Sequence, residues 1–326
     1  MIVPDHWAEA RRQHRAAGRQ VTVRRFGWSM TSAQDAQAMA DRRAEEALGR
    51  LLAGEKQPRR EPKVPYNGAA GVPIREEVLA RHGEEVVTRN AYGARCLNSP
   101  AALFADVDLA PELGARPILG TFAALAVLAL LAGVATSSWR VGLGLLVAAA
   151  LLAMPTARLV LRVSLAAQGG AEVRVRRRLA RFVAARPAWN VRLYRTPAGL
   201  RLLATHRPFD SAEAEVAEFF DAVAADPVYV RMCLNQHCFR ARLTAKPWRI
   251  GISAHLRPRP GVWPVSPQGR AVRASWVADY EAKAARHAAC RYVESVGSGV
   301  MHERLKPVVD LHDRESRALD ANAPMA

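Results

Sequence analysis

Between residues 117 and 157 the chain has no acidic residue and one basic residue, Arg140. That absence of charge excludes an ordinary solvated surface segment. The uncharged run 117–139 is 23 residues long and 141–157 adds 17 more. About 20 apolar residues suffice to cross a hydrocarbon core roughly 30 Å thick. The connection from Thr136 to Arg140 is short enough to demand a tight turn, so the expectation is a two-helix transmembrane hairpin over 117–157 with both ends on one side. Trp139 stands where an interfacial anchor belongs, and Gly142, Gly144 and the alanines at 148–150 let two helices approach closely. Arg116, Arg158, Arg162, Arg174, Arg176, Arg177, Arg178 and Arg181 flank the ends, against one arginine in the loop. This bias predicts an inner-membrane protein with both termini in the cytoplasm.

Cysteine is scarce too. Cys96, Cys233, Cys238 and Cys290 are the only four, without disulfide-scaffold spacing, and a cytoplasmic location keeps them as thiols. The segment from Cys233 through His237 to Cys238 lacks the second ligand pair that a structural zinc site needs. The first thirty residues are polar and basic, so no cleavable signal is expected. Acidic residues are thinly spread after the hairpin. Residues 158–326 hold 28 basic and 15 acidic groups, a net of +13, whereas 1–116 hold 18 and 15, a net of +3. Such a surplus suits nucleic acid, nucleotide phosphates or anionic lipid headgroups.

The remaining pattern predicts an α+β fold, a mixed or antiparallel sheet with helices, assembled from both flanks of the inserted hairpin. Residues 1–55 read as a short basic helix over 5–17, a strand over 20–26 and an alanine-faced amphipathic helix capped by Thr31 or Ser32 and ending at Gly54. Residues 56–116 begin with a Pro- and Gly-rich arm over 56–73, then a helix over 76–81, a strand over 85–89 and the segment Leu103-Phe-Ala-Asp106-Val-Asp108-Leu109. Residues 158–326 read as a basic helix over 171–185, lying on the membrane surface or against the core, and a hairpin of strands over 189–195 and 200–205 turning at Thr196-Pro-Ala-Gly199. A helix over 210–225 capped by Asp210 with Glu213 in the capping-box position follows. Further strands are expected over 228–233, 239–244 and 292–296, and helices over 275–291 and 307–319.

On a strand, residues two apart face the same way, so Asp106 and Asp108 present paired carboxylates. Hard oxygen ligands fixed close together suit Mg²⁺ or Mn²⁺ and two-metal phosphoryl transfer. Arg240, Arg242 and Lys246 share a face if they alternate along one strand. His206, before Arg207-Pro208, reads as a surface residue on its own. Asp310, His312 and Asp313 near a helix start read as structural.

With these elements the chain resembles the archaeo-eukaryotic primase superfamily of primases and primase-polymerases. Phe104-Ala-Asp106-Val-Asp108 is similar to that family's acidic strand, and Tyr194-Arg-Thr196-Pro-Ala-Gly199-Leu-Arg201 to its second motif. Asp226 stands for a third carboxylate, and the segment from Phe239 to Lys246 for its phosphate-binding strand. The resemblance implies a nucleotidyltransferase in which Asp106, Asp108 and Asp226 hold two Mg²⁺ or Mn²⁺ ions. Arg201, His206, Arg240, Arg242 and Lys246 would contact a nucleoside triphosphate or nucleic acid, and the hairpin would be an insertion. The departure is Arg201, which stands where the family has a histidine, with His206 five residues further on. A planar guanidinium binds phosphate well, so nucleotide binding survives that exchange more readily than catalysis.

Two other readings fit parts of the chain. Asp-x-Asp also holds the metal of a nucleotide-sugar in membrane-bound glycosyltransferases, although residues 1–100 lack the expected βαβ unit. A non-enzymatic membrane protein with a basic cytoplasmic domain for anionic lipid, nucleic acid or a protein partner needs no carboxylate site.

Overall fold

The computed structural model describes residues 1–16, 18–56, 58–59, 73–110, 114–167, 169–259 and 263–326. The arm expected at 56–73 lies almost wholly outside them. Strands β1 (His6–Ala16) and β2 (Arg19–Ser29) form an antiparallel ribbon. Helix α1 (Ala33–Leu52) is capped by Ser32, whose side chain accepts from the Asp35 N–H, and buries Ala36, Ala40, Ala44 and Ala47. The first strand corrects the helix expected over 5–17. Its Ala, Arg and Glu favour helix, but the Trp7–Trp28 ring pair at 5.7 Å and the Arg12 bridges to Asp41 and Glu45 hold it extended against β2 and α1.

A second antiparallel sheet contains β3 (Glu77–His82), β4 (Glu85–Arg89) and β5 (Arg95–Ser99). Here too a strand replaces an expected helix, over 76–81. Arg81 is tied to Asp5 at 2.9 Å and to the Val3 carbonyl at 2.7 Å, which fixes β3 beside the N-terminus. Strand β6 (Phe104–Asp108) belongs to a third sheet and leads within a few residues into α2 (Ala115–Ala135) and α3 (Trp139–Ala167).

Both of these helices are long and apolar enough to span a membrane. Their bulky side chains face outward, with Val134 78 % and Leu151 74 % exposed, while only Ala129, Ala149, Ala153 and Ala157 are buried. A core helix of a soluble protein buries its leucines instead. The helices meet through small residues: a Cβ added at Gly133 would lie 3.0 Å from the Gly142 Cα, whereas one at Gly144 would meet nothing. Gly142 and Ala149 thus belong to the contact and Gly144 does not. The turn closes with Ser137 at φ +49° and the Ser138 N–H on the Gly133 carbonyl at 3.0 Å.

Helix α4 (Ala171–Ala184) buries Val175, Leu179, Phe182 and Val183 in the main core, so its apolar face covers protein and not lipid. Strands β7 (Asn190–Arg195) and β8 (Gly199–Ala204) follow as a hairpin, and β8 is buried at every position. Helix α5 (Ala214–Val223) starts four residues later than expected. Asp210 forms the preceding turn, its N–H donating to Glu213 and its carboxylate accepting from the Ala212 N–H.

Helix α6 (Pro227–Gln236) corrects the strand expected over 228–233. Its β-branched residues suggest a strand, but Asp226 at the N-cap and Pro227 in the first turn start a helix. Strand β9 (Phe239–Arg242) joins the second sheet, in the order β3-β4-β5-β9. Helix α7 (Arg270–Ala284), strand β10 (Arg291–Gly297) and helix α8 (Lys306–Glu315) complete the chain. The third sheet then runs β10-β7-β8-β6, all antiparallel. The fold is α+β with antiparallel sheets and an inserted pair of apolar helices.

Candidate functional site

Asp106 sits directly across β6–β8 from Arg201. Arg201 is 1 % exposed and makes a fork to Asp106, Nε donating to Oδ1 at 2.8 Å and Nη2 to Oδ2 at 3.2 Å. Its Nη1 donates to the Arg242 carbonyl at 2.9 Å and lies 3.3 Å from His312 Nε2. Although burial opposes its charge, the adjoining Asp106 carboxylate holds the Arg201 pKa above its usual value. His312 Nδ1 lies 3.0 Å from Asp313 Oδ1, so the ring donates there and turns Nε2, as acceptor, to Arg201. Cys290 completes a Cys-His-Asp arrangement with Sγ 3.8 Å from Nε2, but Cys290 and His312 are fully buried, and the group seats Arg201 in the core.

The motif glycine has a steric reason. A Cβ at Gly199 would lie 2.0 Å from the Val107 carbonyl, so only glycine lets β8 close on β6 beside Asp108.

The other expected site residues scatter. Asp226 caps α6, accepting from the Val228 N–H at 2.8 Å, and donates its own N–H to the Asp106 carbonyl at 2.9 Å. Arg240 is buried and bridges to Glu76, which also accepts from Thr88. His206, just beyond the far end of β8, packs on Trp189 and Phe209 and accepts from the Asn190 N–H. Burial, and then Arg207, lower its pKa. Arg201, Arg240 and His206 therefore lie in packed or paired surroundings, in place of the triphosphate contacts expected of them. Among the described residues no three His, Cys, Asp or Glu side chains group as metal ligands. With Asp106 chelated by Arg201 and Asp226 engaged as a cap, the donor set does not fit a three-carboxylate, two-metal cage.

What does converge is a basic trio. Strand β9 ends at Arg242, so Lys246 lies beyond it, at the entry to a 3₁₀ turn over Pro247–Arg249. Arg242, Lys246 and Arg249 are each half-buried and form no salt bridge among the described residues. Burial, then Arg242 and Arg249, push the Lys246 ammonium below its ordinary pKa, while Asp108 and Asp106 pull the other way. Burial and Arg242 likewise lower the pKa of Arg249. Nε of Arg242 and Nη1 of Arg249 are buried without a hydrogen-bond partner among the described residues. Tyr92 lies within electrostatic reach of Arg242 and packs edge to face on Trp248 with ring centroids 5.4 Å apart, and Trp248 is 56 % exposed beneath Lys246.

Arg249, Trp248 and Tyr92 were absent from the expected site. The readable signal was the run Lys246-Pro-Trp248-Arg249, cations interleaved with an aromatic ring. No protein-family model, curated protein or solved structure matches the chain.

Proposed function

We propose that this chain is a membrane-anchored protein whose extramembrane α+β domain binds a nucleoside triphosphate. The phosphates lie on Arg242, Lys246 and Arg249, and the base stacks on Trp248. The observation that carries the reading is the trio itself: three cations brought together half-buried with no carboxylate bridge among the described residues. Holding like charges together is unfavourable until a polyanion neutralises them. An exposed ring beside such a cluster supplies a sequence-tolerant stacking surface.

The primase resemblance supports a nucleotide as the source of the phosphates, since Arg242 and Lys246 belong to the segment similar to that family's phosphate-binding strand and Arg249 follows it. The engagement of Asp106 by Arg201 favours binding over polymerisation. In this reading α2 and α3 cross the inner membrane and the charge bias leaves both termini in the cytoplasm.

The test is the apparent stability and equilibrium binding of the detergent-purified full chain with ATP, dATP, inorganic triphosphate or a UDP-sugar, with and without Mg²⁺ or Mn²⁺. A bound ligand must raise stability. Stabilisation by ATP or dATP beyond inorganic triphosphate, weakened by salt and lost in K246Q/R249Q, is expected. Stabilisation by the UDP-sugar alone, or a response unchanged in K246Q/R249Q, would overturn the proposal. Polymerisation would require a metal-dependent response abolished by D106N/D108N.

A further inference from the structure

Where β1 and β3 meet α7 and the loop before it, a cavity of about 580 Å³ opens. Two indole rings, Trp7 and Trp263, line it together with Val265 and Val277. A volume and lining of this kind suit one small molecule. Arg270 and Arg273, one turn apart at the start of α7, face the same cavity, and that helix has no acidic residue in its first turn. Arg273 is 5 % exposed, and its Nε and Nη2 donate to Glu77 at 3.1 and 2.8 Å. The other edge of the guanidinium is open. Its Nη1 is buried without a hydrogen-bond partner among the described residues, as is the indole N–H of Trp7. A buried donor without an acceptor is unfavourable, and a ligand that brings the acceptor removes the penalty.

The charges lining the cavity indicate the charge of its ligand. Asp5 is bridged to Arg81 at 2.9 Å and Glu77 to Arg273 at 2.8 Å. Arg270 is exposed and forms no salt bridge among the described residues. One positive charge is therefore left over, and the two carboxylates, though engaged, would repel a polyanion. We infer that this cavity binds a small aromatic monocarboxylic acid of the arylacetate class. The carboxylate lies between Arg270 and the open edge of Arg273, where guanidinium donors and the start of a 15-residue helix both favour an anion. The aryl ring lies on Trp7 and Trp263, because flat rings packed on indole gain more than the area they bury. A flexible alkyl acid of similar size loses more freedom between the same walls.

This inference depends on neither the nucleotide site nor membrane insertion, so the failure of either leaves it standing. The test titrates the detergent-purified full chain with naphthylacetate, the neutral naphthylacetamide, octanoate, or homophthalate, a dianionic arylacetate, with protein-free micelles as the blank. The readouts are isothermal titration, tryptophan emission and apparent Tm. Naphthylacetate is expected to bind saturably at one site per chain, alter tryptophan emission and raise Tm. The other three should bind more weakly, the amide by about tenfold because it lacks the charge-assisted bonds. R270Q should lower naphthylacetate affinity about tenfold and leave that of the amide unchanged, while R270K retains part of the preference. Since Arg270 is exposed and outside any salt bridge among the described residues, R270Q should keep the wild-type Tm without ligand, which separates lost binding from lost fold. A274F adds a ring to the α7 wall of the cavity and should exclude the acid. W263F should bind the acid as the wild type does but lose part of the emission change, which locates the ligand at one of the seven tryptophans.

Equal or tighter binding of the amide, octanoate or homophthalate would overturn the inference. So would an affinity unchanged in R270Q, binding that survives A274F, or an emission change that W263F leaves intact. Absence of saturable binding for all four probes would overturn it outright.

Discussion

Arg201 and Lys246 both lie within electrostatic reach of Asp106, yet the chain treats them in opposite ways. Arg201 is enclosed, and its donors are matched by a carboxylate, a backbone carbonyl and an imidazole nitrogen. Lys246 shares its half-buried position with two further cations, and burial and those neighbours oppose its charge. A buried charge persists when partners replace its hydration. The matched arginine is thus satisfied within the fold, whereas the unmatched trio is left for the polyanion proposed above. This difference separates scaffold from site more reliably than residue type, since arginine occurs in both groups.

The largest effect should come from breaking the matched side. Replacing Arg201 with Met leaves Asp106 without its fork and His312 without its donor, and loss of one partner of a buried pair costs about 3–5 kcal/mol. Asp106 is one-third exposed, so water offsets part of this and the lower end is expected. Chemical unfolding of R201M should show it, and the double variant D106L/R201M should recover much of the loss, because apolar replacement of both partners removes the stranded charge. A stable R201M would place Arg201 among the ligand-binding cations and collapse the contrast.

The unmatched side should behave inversely. K246Q/R249Q should lower nucleoside triphosphate affinity by about two orders of magnitude, the lower end of roughly 1.5–3 kcal/mol for each of two charged hydrogen bonds, because both cations are partly exposed. Its thermal stability should be equal to the wild type or slightly higher, because repulsion is relieved. Isothermal titration and thermal unfolding of one preparation read both quantities. A large fall in stability with no change in affinity would make the trio structural. Below this in size comes W248A, which removes a largely exposed ring and so leaves stability nearly unchanged. Loss of base stacking should weaken nucleotide binding by about 1–3 kcal/mol while leaving inorganic triphosphate binding as it was. Equal weakening of both would remove the stacking role.

The sequence made the hairpin legible because a membrane span is written in one long property, the absence of charge. The β7–β8 turn was legible for a similar local reason, Thr196-Pro-Ala-Gly199. The helices expected over 5–17 and 76–81 gave way to strands because the extended state depends on tertiary partners, β2 with α1 for one and β4 with the N-terminus for the other. The strand expected over 228–233 is a helix because Asp226-Pro227 is a strong local start signal. The site was half legible. The segment from Phe239 to Lys246 contains two of the three clustered cations, but its division into Arg240 bridged to Glu76 and Arg242 without a salt bridge among the described residues depends on Glu76, which only the second sheet brings there. That Arg201 would be consumed by Asp106 follows from strand register, which a spacing pattern does not contain.

The smallest effect is the most specific to the unmatched trio. Burial, then Arg242 and Arg249, depress the Lys246 pKa from 10.5 in the folded chain, so between the folded value and 10.5 the unfolded chain binds more protons. Stability then rises with pH across that window, and the penalty is fully present below it. K246Q lacks the titrating group. Its Tm should exceed that of the wild type near neutral pH, with the gap closing as pH approaches 10.5, while tyrosine and cysteine titrations common to both proteins cancel in the difference. A bound triphosphate restores the ammonium's preference for its proton and should abolish the slope in the wild type alone. A gap that stays constant from pH 7 to 10.5 would mean that Lys246 carries no penalty, and the electrostatic distinction between the two cation groups would then have to rest on Arg242 and Arg249.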